Sequence, residues 1–112
     1  MARSNGDKPP VAYVAGGIWP NAKMAPEAPP SAHAAQHLAR VLGAAMADTA
    51  TGQRALAAAS GVAHTTIGRI LAGTVLCDIG SLARLEDALG TRLWPTRAEA
   101  VARRRPAGKV TV

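Results

Sequence analysis

His64, Thr65, Gly68 and Arg69 stand at offsets of one, four and five residues, the spacing that gathers positions on one side of a helix. A guanidinium there can pair bidentately with guanine O6 and N7, an interaction worth about 1–3 kcal/mol in discrimination. An imidazole and a hydroxyl at a helix N-terminus can reach base edges or phosphate. Upstream, Gln53 carries a carboxamide suited to a phosphate oxygen. Downstream, the run Arg103, Arg104, Arg105 offers salt-sensitive attraction to phosphates. Covalent chemistry has no comparable support. His33 and His37 are four apart and could present two imidazoles to one metal, but no Cys, Asp or Glu lies nearby to complete a set, so both are expected to be exposed and no metal or cofactor is expected. Cys77 is the single cysteine and has no evident activating partner. With no carboxylate pair and no nucleophile–base set, an enzyme is not expected.

Helical periodicity surrounds these residues. Pro30 followed by Ser31 as a possible N-cap opens a segment with Leu38, Val41, Leu42, Ala45 and Met46 at three- and four-residue spacing, ending near residues 48–52. A short helix over residues 53–60 places Leu56 and Ala57 on one face and stops at Gly61, the left-handed residue a tight turn needs. A third runs from Ala63 or His64 to Ala72, with Ile67, Ile70 and Leu71 inward and Gly73 as its stop. Asp78 or Ser81 caps a fourth, whose Leu82, Leu85, Ala88 and Leu89 form one stripe before Gly90; Leu82, Leu85, Leu89 and Trp94 are expected in the core. The capping-box pattern at Thr96 and Glu99 suggests a fifth helix to about Arg104. The second and third helices have the spacing of a helix-turn-helix. Ala57 is small where the two cross, Gly61 turns the chain, Val62 plugs the corner, and His64, Thr65, Gly68 and Arg69 are left on the outer face, the one a recognition helix presents to the major groove. Gly68 costs about 1 kcal/mol relative to alanine in a helix and permits close approach to DNA.

At these residues the chain resembles the phage-repressor-like (lambda repressor, XRE/Cro) helix-turn-helix domains. The resemblance covers about residues 38–94 and is carried by Gln53, Ala57, Gly61, Val62, Ile67, Gly73, Leu82, Leu85, Ala88, Leu89 and Gly90. It implies an all-α domain of four to five helices that binds a pseudo-palindromic operator as a homodimer. It also implies base-facing roles for His64, Thr65, Gly68 and Arg69, a place for Thr66 near the DNA backbone or packed against the domain, and a backbone role for Gln53, holding a phosphate and bracing the first recognition side chain.

Length and composition bound what such a domain can be. The chain has 112 residues, and 48% are hydrophobic, yet 26 of those are alanine and only three residues are aromatic, so a single thin core is expected. Residues 1–30 hold six of the eight prolines and read as a flexible arm with a net charge of +1. Residues 31–96 form the expected folded domain, also at +1, while residues 97–112 carry +4 of the total +6 as a short helix and basic tail. Within the arm, residues 11–18 suggest a strand, and residues 13–19, with Tyr13 and Trp19, read as one that pairs across a dimer or docks on a partner, with disorder as the other reading. No apolar run approaches the roughly 18 residues of a membrane span, and the segment lacks the lead-in of a signal peptide. Ten arginines against three lysines, with abundant alanine, fit a GC-rich bacterial genome or its phage. The expected function is a sequence-specific repressor in the bacterial cytoplasm, an immunity repressor or Cro-like switch that binds double-stranded operator DNA. The alternative is a protein-interaction module, such as an antitoxin or an RNA polymerase adaptor, using the same fold and the aromatic arm.

Overall fold

The computed structural model describes residues 6–94. The fifth helix over residues 96–104, the basic run Arg103, Arg104, Arg105 and the tail of residues 97–112 lie outside them. The described residues form a mostly helical domain with a small two-stranded sheet. Four helices follow one another: α1 Pro30–Asp48, α2 Gln53–Ser60, α3 His64–Ala72 and α4 Ile79–Leu89.

Local chemistry explains the boundaries. Proline at the first helical position has a φ already suited to a helix and no amide to leave unpaired, so α1 starts at Pro30 with Pro29 before it. Ser31 is therefore not the N-cap expected from its type; its hydroxyl donates to the Asp7 carboxylate instead. Helices α2, α3 and α4 end at Gly61, Gly73 and Gly90, all left-handed, with φ of 82°, 74° and 64°. Asp78 caps α4, its carboxylate accepting the Ser81 amide at 2.6 Å.

Leu38, Leu42 and Met46 of α1, Leu56 of α2, Val62 of the turn, Ile67 and Ile70 of α3, and Leu82 and Leu85 of α4 make one core, closed by Leu93. Ala57, Leu71, Ala88 and Leu89 pack against it from its edge. Leu93 occupies the place expected of Trp94, which is 53% exposed. The cause is Glu86: its carboxylate accepts the backbone amides of Leu93 (2.7 Å) and Trp94 (3.1 Å), turning the chain after Gly90 so that residue 93 faces inward.

The segment expected to be a flexible arm is built onto this core. A 3-10 turn, Pro10–Tyr13, leads into β1 (Val14–Gly16), which pairs antiparallel with β2 (Lys23–Met24) through a bulge between Val14 and Gly16. The Val11 amide donates to the Gly73 carbonyl at 2.9 Å. The buried Gln36 side chain donates to the carbonyls of Pro20 (2.9 Å) and Ala22 (2.7 Å). Residues 11–18 thus hold a strand, as one of the two readings had it, and its partner comes from the same chain. The hairpin also amends the all-α expectation. The arm covers a second side of α1, where Gln36 is buried under it, and Ala32 and His37 are buried as well. His37, expected to be exposed, is only 7% accessible.

Candidate nucleic-acid interface

Helices α2 and α3 are joined by residues 61–63. Gly61 turns left-handed, its amide donating to the Ala57 carbonyl at 2.8 Å, and the Ser60 hydroxyl accepts the Val62 amide at 3.1 Å. Val62 then drops into the core, and Ile67 and Ile70 follow one and nearly two turns later. These three anchors fix which side of α3 faces out. Thr65 and Arg69 are exposed, and His64, Thr66 and Gly68 are partly so.

Gln53, the first residue of α2, is exposed and belongs to the same surface. A Cβ added at Gly68 would stand 3.0 Å from Gln53 Oε1 and 3.8 Å from its Cδ. The structure therefore brings Gln53 together with Gly68, in the middle of α3, flanked by Thr65 and Arg69. Arg103, Arg104 and Arg105, the other residues expected at a DNA backbone, are outside the described residues.

The two ends of α3 offer different chemistry. Ala63 precedes the helix with no side-chain cap, so the amides of the first turn have no side-chain partner at that position. At the far end the arm closes over the helix. The Trp19 indole N–H donates to the Leu71 carbonyl at 3.0 Å, and the ring lies where a Gly73 Cβ would be, 2.5–2.9 Å from its Cε2, Cζ2 and Cδ2. Sequence reasoning missed Trp19, Val11 and Gly73 as the parts that seat α3. The sequence signal is the pair Tyr13 and Trp19, two of the three aromatics in a polar, proline-rich arm, which by itself points to a dimer mate or partner and not to α3.

Elsewhere, Cys77 is half-buried and unpaired, and desolvation with the neighbouring Asp78 charge pushes its thiol up to about 11, so it is a protonated thiol at neutral pH and a poor nucleophile. An open groove of about 270 Å³ lies beside it, lined by Ser31, Ala35, Leu38, Leu76 and Trp94 among others. No cluster of three metal-ligating side chains occurs among the described residues, and no helix among them is long and apolar enough to cross a membrane. Comparison with protein-family models, curated proteins and solved structures finds no match.

Proposed function

We propose that the chain is a sequence-specific DNA-binding protein, with α2 and α3 acting as a helix-turn-helix of the phage-repressor-like type and α3 as the recognition helix. One observation carries this reading: Ile67 and Ile70 are buried on one side of α3, with Val62 of the turn before it, while Thr65, Gly68 and Arg69 lie on its other side beside Gln53 of α2. A polar helix face with a guanidinium, hydroxyls and a carboxamide, and with no bulky apolar side chain on it, suits the major groove, where bases present donors and acceptors. The first-turn amides at the uncapped N-terminus of α3 favour a neighbouring phosphate. The net charge of +6 supplies long-range attraction.

The mechanism that follows is repression by occupancy. A homodimer sets two copies of α3 in successive major grooves, about 34 Å apart, and the bound operator is closed to RNA polymerase. The setting is the bacterial cytoplasm.

A gel-shift titration with the DNA upstream of the coding gene tests the proposal. The native chain should give a specific shift, and Arg69→Ala should weaken it roughly 5- to 150-fold, the loss of one bidentate base contact. No shift at any low salt would overturn it.

A further inference from the structure

The proposed recognition face has a gap at its middle. Gly68 lies on the outer side of α3 between Thr65 and Arg69 and has no side chain, so α3 itself offers no donor or acceptor group to the base pair that this position would cross. The gap is nevertheless filled from the neighbouring helix. A Cβ on Gly68 would meet Gln53 Oε1 at 3.0 Å, whereas one on Gly61, in the turn between the two helices, would meet nothing within 4 Å. The Gln53 carboxamide thus rests on the backbone of α3 at residue 68. It is exposed and makes no hydrogen bond to another described residue.

A side chain at that place is oriented differently from a phosphate clamp. Residues 64, 65, 68 and 69 share one side of the helix, so an amide lying over residue 68 is inside the face that they form rather than at its rim. A glutamine amide offers one acceptor and one donor group in a plane, the pair that matches adenine N6 and N7 in the major groove. A phosphate oxygen uses only the donor.

Resting on the DNA-binding reading above, we infer that Gln53 is a base-reading, specificity-determining residue, its carboxamide taking the place in the recognition face that Gly68 leaves open and pairing with an adenine in each half-site. This replaces the phosphate role expected of Gln53 from its position in the sequence. It also accounts for the glycine, since a methyl group at residue 68 must displace the amide by a few tenths of an ångström.

Selection of bound duplexes from a random-sequence DNA library, with the full chain and with Gln53→Ala, Gln53→Glu and Gly68→Ala, tests the inference. Circular dichroism of each variant confirms that it is folded. The native chain should enrich a motif with an adenine that Gln53→Ala loses, at a cost of roughly 5- to 150-fold for the selected duplex and with the other positions unchanged. Gln53→Glu should move that position toward cytosine, whose N4 amine donates to a carboxylate. Gly68→Ala should weaken the preference at the same position and at no other. If Gln53→Ala lowers affinity equally for all sequences and leaves the motif intact, Gln53 is a phosphate contact and the inference is wrong. If the native chain enriches no sequence, the DNA-binding reading itself fails and takes the inference with it.

Discussion

At its C-terminus α3 is gripped from outside: Gly73 turns left-handed, the Val11 amide reaches its carbonyl, and Trp19 covers it while its indole N–H holds the Leu71 carbonyl. At its N-terminus, two turns away, Ala63 supplies no cap and the exposed side chains of the proposed interface begin. One helix is therefore seated at one end and left open at the other. The difference separates two requirements. A recognition helix must be rigidly placed, which calls for packing, and must keep its leading turn available to a ligand, which forbids packing there.

The largest effect is expected at the seated end. Gly73→Ala combines a φ of +74° with a Cβ forced into the Trp19 ring, and should cost about 3 kcal/mol in urea or thermal unfolding, from backbone strain plus overpacking. Gly61→Ala has a similar φ of +82° and no atom near its Cβ, so it should cost only about 1 kcal/mol. Equal costs for the two would show that the Trp19 contact is not what seats α3. Next comes Trp19→Ala, at about 2 kcal/mol, below the 3–5 kcal/mol of a fully buried tryptophan because the residue is only partly buried. In that background the Gly73→Ala cost should fall toward the Gly61→Ala value, a coupling that a double-mutant cycle measures directly.

The open end should respond in the opposite direction and more weakly. Ala63→Ser restores an N-cap acceptor and should raise stability by about 0.5–1 kcal/mol. A null result in unfolding would mean that the first turn of α3 already finds partners. The smallest effect concerns pH. Asp78 is held below the usual carboxylate range chiefly by the Ser81 amide, and Glu86 chiefly by the Leu93 amide and then that of Trp94. A carboxylate depressed in the folded state contributes stability above its unfolded value and loses it as pH falls through the folded one. Stability should therefore decline as pH drops below about 4.5, the ordinary glutamate value. Glu86→Gln should flatten part of that decline. The Trp19–Gly73 contact has no ionisable group, so the Trp19→Ala cost should be equal at pH 7 and pH 5.

The sequence was most informative where short-range chemistry decides. The bounds of α2 and α3 follow from Gly61 and Gly73, left-handed stops that any reader of glycine positions can place, and the inward set of Val62, Ile67 and Ile70 follows from helical spacing. The arm was not readable in this way. Trp19 and Leu71 are 52 residues apart in the chain, and a proline-rich composition describes how a segment behaves alone, not that a glycine elsewhere leaves room for its indole. The exchange of Leu93 for Trp94 has the same origin: past Gly90 no periodicity continues, and a carboxylate seven residues back settles which side chain turns inward. Gln36 was likewise hidden, because the surface that buries it is the arm itself.

The grip on Gly73 also bears on how such a domain can change over generations. Because α3 is held by Val62, Ile67 and Ile70 beneath it and by Trp19, Val11 and Gly73 at its end, the outward residues at 64, 65 and 69 are not among the parts that hold it. On the proposed DNA-binding reading, new preferences can then be tried at those three positions without renegotiating the fold, and the same separation makes the helix a graft point for altered specificity in the laboratory.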